Sequence, residues 1–309
     1  MKISLLIPIY NVAEKIERCA VSLFEQTYKD MEYVFVNDCT PDNSIQVLES
    51  VLDRYPERKA QVKILHNERN LKQAGTRNRL LDNATGDLIM FVDSDDYLPL
   101  DACQKLFAKM QESGADIVSG AFVSLKPEGK TVTVSPNTTD GNKAYRRLLS
   151  FSYGSCMLWS RLYKASLFAD TAMRAIEGVN LSEDYMMTSR VMLKAKMAFI
   201  PDVVYYYDET EVRDYSKIYE GHISQMERSV SAVLDYLNAN KSLSLPYLPC
   251  VQIALLHVVR TAARCGLRAP LAESKLTWWA KPLAALMYHK VTFSLANLLY
   301  KIARSAINR

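Results

Sequence analysis

This 309-residue sequence predicts a mostly parallel α/β sheet flanked by helices, followed by a helical region at the C-terminus. Three observations predict it. Short apolar runs alternate with segments of helical period over roughly the first 120 residues. Acidic and amide residues stand directly after those runs, where ligands of parallel sheets bind. From about residue 215 helical periods take over and glycine nearly disappears.

Residues 3–9 (ISLLIPI) form the first apolar run, and Ile16, Cys19, Ala20, Leu23 and Phe24 follow at helical spacing. Residues 32–36 read as the second strand. Asp42, Asn43 and Ser44 are helix-capping types, and Ile45, Leu48, Val51 and Leu52 make the stripe that they introduce. A third strand is expected over 62–65, a helix over 73–83, a fourth strand over 87–92, a helix over 100–112 and a fifth strand over 116–120. Strand–helix–strand repetition implies parallel pairing through right-handed crossovers. Residues 121–214 are less regular, with a hairpin at 132–134, a helix over 183–193 and short strands over 198–200 and 203–207. The organisation expected is one domain over 1–214, itself in halves 1–120 and 121–214, and a helical region over 215–309.

Composition narrows the classes. The chain is 49% hydrophobic and 23% charged, with only 10 Gly and 11 Pro, which excludes a disordered or low-complexity chain. A net charge of +4 does not imply nucleic-acid binding, and no recognisable nucleic-acid module is present. The six cysteines form no CxxC pair and the four histidines are scattered, so a zinc or thioredoxin-type site has no support. The cysteines are expected reduced and mostly buried. No uncharged apolar stretch long enough for a membrane span stands out, and the N-terminal run is too short for a signal peptide.

The strongest local feature is Asp93-Ser94-Asp95-Asp96, three carboxylates in four positions after an apolar strand. Such acids repel one another, and a hard cation with phosphate oxygens relieves that repulsion. The plainer alternative, a turn with helix caps, accounts for Asp96 or Asp101 but not for all three acids. Asp38 follows the second strand; it fits a base N–H or ribose hydroxyl, and equally a capped turn. Pro8, Tyr10 and Asn11 end the first strand; Tyr10 suits stacking on a base, or a surface position. Arg77 suits a phosphate or the orientation of an acid. Lys72 and Arg79 read as solvated. Glu183 and Asp184 start a helix that Ser182 can cap, where plain dipole complementation also explains them. Neither GxGxxG nor GxxxxGK[ST] occurs in the first βα turn.

In order, Pro8-x-Tyr10-Asn11, Asn37-Asp38 with Asp42-Asn43-Ser44, Arg77-Asn78, Asp93-Ser94-Asp95-Asp96 and Glu183-Asp184 resemble family 2 glycosyltransferases. Residues 159–163 and 204–207 also look like segments of that family. The resemblance covers about residues 1–210. It implies a GT-A (Rossmann-like) fold and inverting transfer of one sugar from a nucleotide-sugar donor, a UDP-sugar first, to a glycan or lipid-linked acceptor. The setting implied is cell-surface polysaccharide assembly, in the cytoplasm or at the inner face of the cell membrane. It implies Asp38 on the nucleotide base, with Pro8, Tyr10 and Asn11 lining the pocket. It implies Asp93 near the ribose, Asp95 with Asp93 on Mn²⁺ or Mg²⁺, and Arg77 and Asn78 on the nucleotide side. Asp184 matches the general base, oriented with Glu183. Two departures stand in the third loop: Lys72 replaces a usual glycine and Thr76 a usual alanine. The Gln-x-x-Arg-Trp signature of processive synthases is absent. The alternatives are another nucleotide-sugar or nucleotidyl enzyme and a non-catalytic scaffold of the same fold.

Residues 256–309 hold nine Lys and Arg against one Glu, a net +8, leaving −4 for the rest. Within them Trp278, Trp279, Leu283, Met287, Val291, Leu295, Leu298 and Ile302 recur every three or four residues, accompanied by Lys281, Lys290, Lys301 and Arg304. One reading is an interfacial helix on an anionic membrane surface; the other is a helix packed on protein.

Overall fold

The computed structural model describes residues 1–136, 138–151, 156–210, 220–289 and 292–307. The expected boundary near 215 lies outside them. The chain divides into two compact units: one comprises Met1–Thr139, Leu158–Ala175 and Ala195–Arg213, the other Asp140–Met157, Ile176–Lys194 and Asp214–Arg309.

The first unit is an eight-stranded mixed sheet. Strands β1 (Ile3–Ile9), β2 (Met31–Asn37), β3 (Val62–His66) and β4 (Leu88–Phe91) are parallel, in the order β3-β2-β1-β4. β1 is central, which is why it reads as a near-continuous apolar run. Pro8 is tolerated there for a local reason. Even-numbered residues of β1 turn their amides toward β4, as Leu6 does in accepting the Val92 N–H, and the β4 ladder ends at Leu6↔Phe91. The missing Pro8 donor therefore faces past the paired residues of β4.

Helices α1 (Ile16–Phe24), α2 (Ser44–Asp53), α3 (Lys72–Asn83) and α4 (Ala102–Ser113) connect the strands; α1 and α2 bury their predicted stripes except Leu52, which is half-buried. α4 stops at Gly114, left-handed at φ 62°, as helix ends favour. β5 (Ile117–Leu125) runs longer than expected and forms the predicted hairpin with β6 (Thr131–Val134). β7 (Arg161–Lys164) lies antiparallel between β4 and β5. The two short strands expected over 198–207 are one, β8 (Met197–Asp208), parallel to β5 with a register shift at Ala121. Its period is broken by that shift, which is why the sequence reads as two pieces.

The second unit is helical: α5 (Gly141–Leu149), α6 (Glu183–Met192), α7 (Glu220–Ala239), α8 (Lys241–Ser244), α9 (Leu248–Arg264), α10 (Pro270–Ser274), α11 (Lys281–Met287) and α12 (Phe293–Ile307). By length and composition alone the helical run Lys241–Arg264 could cross a membrane, a candidate that the sequence reading did not single out. Over half of it is buried within the protein, as the core helix of a bundle is. All six cysteines are free; Cys19, Cys103 and Cys250 are buried, whereas Cys39 and Cys265 are exposed, so burial is less general than expected.

Candidate active site

The carboxyl ends of β1, β2 and β4 lie side by side in the first unit. Asp38 N–H donates to Ile9 O (3.0 Å) and Val92 N–H to Leu6 O (3.0 Å), so Tyr10-Asn11, Asp38 and the acids 93–96 leave the sheet at one edge. Strand order reverses between β1 and β4, the position at which open α/β sheets bind ligands.

The β1 and β2 loops are tied by one carboxylate. Asp42 Oδ1 accepts the hydroxyls of Thr40 (2.6 Å) and Ser44 (2.5 Å), and Oδ2 accepts Ala13 N–H (2.8 Å). Those hydroxyls accept in turn from Asn11 N–H (2.8 Å) and Val12 N–H (3.1 Å). Burial alone would raise the Asp42 carboxyl, but these donors outweigh it and hold it at about 2. Asn11 is left-handed at φ 55°, and Tyr10 is 48% exposed, an available aromatic face. Pro8 is half-buried.

Asp38 is buried and holds the third loop. Its Oδ1 accepts Asn67 Nδ2 (2.7 Å) and Leu71 N–H (2.6 Å). Asn67 also donates to Thr76 Oγ1 (3.3 Å), so the residue replacing alanine adds a bond. Arg79 is not simply solvated: it donates to Asn67 Oδ1 (2.8 Å). Lys72, in the usual glycine position, sits at φ 60°.

Arg77 lies against an acid. It is buried in α3, with Nη2 3.3 Å from Asp93 Oδ1 and its guanidinium 5.9 Å from the centre of the Phe91 ring. Asn78 faces a different neighbour. Its amide donates to Ala175 O and accepts Ala175 N–H (2.9 Å each), while its own carbonyl accepts Arg174 Nη1 (3.1 Å). Both polar ends of that side chain are engaged in stapling residues 174–175 to α3.

The end of β8 backs the acidic turn, and the sequence reading did not single it out as part of the site. Tyr205 OH accepts Asp93 N–H (3.1 Å) and donates to Asp96 Oδ2 (2.7 Å), while Asp208 N–H donates to Asp96 Oδ1 (2.8 Å). Trp159 stacks on the Tyr205 ring at 4.5 Å. Asp96 is fully buried; burial first, then repulsion from Asp95 and Asp93, pushes its pKa well up. It is a structural acid of the turn. Asp208 pairs with Arg18 and, at 3.9 Å, with Lys15. Burial would raise Asp208, but Thr210 and Arg18 hold it at about 2. Arg18 also donates to Asp95 O (3.2 Å). The signal for this support was the aromatic run 204–207 with an acid at its end.

Among the described residues no three His, Cys, Asp or Glu side chains form a cage for a metal. A Mg²⁺- or Mn²⁺-type ion does not require one, because it takes one or two carboxylates and completes its shell with phosphate and water. Asp93 and Asp95, hard oxygen donors two residues apart, fit that sparse set.

Glu183 and Asp184 belong to the second unit, in the first turn of α6, with Glu183 buried and Asp184 half-buried. Ser182 does not cap with its side chain: it is left-handed at φ 66°, and its carbonyl accepts Met186 N–H (3.1 Å) and the Ser229 hydroxyl (2.7 Å). α6 is fixed through Tyr185, whose ring stacks on Phe151 at 4.0 Å and whose hydroxyl donates to Leu149 O (3.0 Å).

Comparison with known proteins identifies the family and the fold. The model of the family described as glycosyl transferase family 2 matches residues 4–171. The chain is 30% identical over 192 residues to the uncharacterized glycosyltransferase EpsJ of Bacillus subtilis, covering 59% of this chain and 53% of EpsJ. It is 29% identical to the poly(ribitol-phosphate) beta-glucosyltransferase of Bacillus spizizenii, covering 67% of this chain and 32% of that one. The chain thus matches about half and a third of the lengths of these relatives. The crystal structure of S. aureus TarS 1–349 in complex with UDP-GlcNAc matches with a TM-score of 0.61 at 20% identity, covering 99% of this chain and 91% of that one. The fold is that of TarS, a GT-A fold.

Proposed function

The chain belongs to glycosyl transferase family 2, and on that premise we propose that it transfers a single sugar from a nucleotide-sugar donor, a UDP-sugar first, to an acceptor hydroxyl with inversion. The observation that carries this reading is the carboxyl edge of the first unit. There Asp38 leaves β2 and Asp93 and Asp95 leave β4, on either side of β1, and buried Arg77 holds Asp93. The relatives named for polymer glycosylation favour a role in cell-surface polysaccharide assembly.

In this reading Asp38 recognises the nucleotide base, and Pro8, Tyr10 and Asn11 line its pocket. Asp93, braced by Arg77, faces the ribose. Asn78 acts indirectly, by fixing α3 against residues 174–175. Asp95, with Asp93, would hold Mn²⁺ or Mg²⁺, which when bound neutralises charge on the departing diphosphate. Asp184 accepts the proton of the acceptor hydroxyl while that oxygen bonds to the anomeric carbon, and the carbon–oxygen bond to the diphosphate breaks on the opposite face. Glu183 orients Asp184 or the acceptor. One displacement predicts inversion.

The test is calorimetric titration of UDP-, GDP- and dTDP-sugars with and without Mn²⁺, on wild type and Asp95→Ala. Binding of one nucleotide class that requires both metal and Asp95 supports the reading. A folded protein that binds none of them with metal present overturns it and favours a non-catalytic scaffold.

A further inference from the structure

The tail does not form the one continuous stripe read from the sequence. Lys290 and Val291 lie outside the described residues. Before them Met287 is buried and Leu283 half-buried, facing inward from α11. α12 turns the other way. Its Ala296 and Tyr300 are buried, while Leu295, Leu298, Leu299 and Ile302 are 55, 54, 42 and 57% exposed. Spacings of three, four and seven put these four on one face, a band about 100° wide.

The surroundings of this face are cationic. α9 and α12 run antiparallel, as His257 Nδ1 to Tyr300 OH (3.2 Å) and Arg260 Nη1 to Asn297 Oδ1 (3.2 Å) record. Arg260, Arg264 and Arg304 all bear on His257, which burial and then these charges hold at about 4. Lys301 is exposed beside the stripe, and Arg264 is exposed at the end of α9. The one acid of residues 256–309, Glu273, is bound to Arg268 (2.8 Å) and Tyr288 (2.9 Å). Lys301 and Arg264 have no carboxylate partner among the described residues.

Two occupants compete for such a face. A second copy across a two-fold axis would bring the same cations together, which repel. A flat anionic surface meets aliphatic side chains and cations at once, as interfacial helices do. We propose that the Leu295, Leu298, Leu299 and Ile302 face of α12, with Lys301 and Arg264 beside it, docks the chain on an anionic lipid surface. This extends the transfer proposed above by giving enzyme and a lipid-linked acceptor a common surface. It stands on the second unit alone.

The test is co-sedimentation of the full chain with phosphatidylglycerol vesicles and with phosphatidylcholine vesicles. Partition to phosphatidylglycerol is expected, falling as salt rises. Leu298→Glu with Ile302→Glu should weaken it about tenfold or more, because two apolar side chains no longer leave water. Lys301→Glu should weaken it about fivefold or more while leaving the apolar face intact. All three positions are exposed, so unfolding curves of the variants should match wild type. Three results overturn the proposal: no partition, equal partition to both lipids, or wild-type self-association that Leu298→Glu disperses without any vesicle binding. Donor titration on the same samples reads the activity proposal separately, and either can fail without the other.

Discussion

Tyr205 and Asp93 are joined by one hydrogen bond, Asp93 N–H to the Tyr205 hydroxyl at 3.1 Å, across 112 residues of sequence. The same hydroxyl donates to buried Asp96, so a single oxygen sets both ends of the acidic turn. Tyr205→Phe removes it while keeping the ring stacked on Trp159. The Asp93 amide and the Asp96 carboxyl then lose a partner, and unfolding free energy should drop by about 1–3 kcal/mol. Donor affinity in calorimetry should drop with it. Wild-type affinity in a folded Tyr205→Phe protein would remove Tyr205 from the site.

Asp184→Asn separates binding from chemistry. The amide keeps the shape of α6 but takes no proton. Donor binding should persist while transfer falls by about 10²–10⁴. Rapid-quench assay of sugar transfer checks it, and undiminished turnover would remove Asp184 as the base.

Lys72 occupies a left-handed position that a side chain disfavours. Lys72→Gly should raise stability by about 0.5–1 kcal/mol, the relief of strain exceeding the entropy that glycine adds to the unfolded chain. Chemical denaturation measures it. A stability loss would mean that Lys72 makes a stabilising contact.

Gly120 lies where β5 and β8 shift register, and a Cβ there would stand 2.5 Å from Val204 Cγ2. Gly120→Ala should cost about 1–3 kcal/mol and loosen the β8 segment that carries Tyr205. Thermal unfolding and donor titration of the same variant report both effects.

Glu32 supplies a pH dependence far from the acidic turn. Burial would raise its carboxyl, but Lys63 and Ser4 (2.6 Å each) and Thr85 outweigh burial and bring it from 4.5 to about 2. A carboxyl lowered by folding stabilises fully above its unfolded value. Its contribution, on the order of 2 kcal/mol, is therefore lost as pH falls from about 4.5 toward 2. Acid unfolding of Glu32→Gln should show a shallower decline over that window than wild type.

What the sequence alone determined is the parallel half and its edge. A strand buried on both faces is mostly apolar, so residues 3–9, 32–36 and 87–92 announce themselves despite Ser4 and Glu32, and helical stripes between them force parallel pairing. Parallel pairing in turn puts Asn11, Asp38 and Asp93 at one edge. Tertiary structure alone decided what holds those residues. Arg77 could have met phosphate or carboxylate, and only the packed α3 shows it beside Asp93. Only the fold shows that Asn78 staples residues 174–175. Asp208 and Tyr205 reach Asp96 from more than 100 residues away. Met287 and Ile302 carry the same apolar signal in sequence, but one is buried and the other is open to solvent. The physical reason is range. Periodicity records which face of an element avoids water, whereas hydrogen-bond partners and the choice of covered face depend on segments that meet only when the chain has folded.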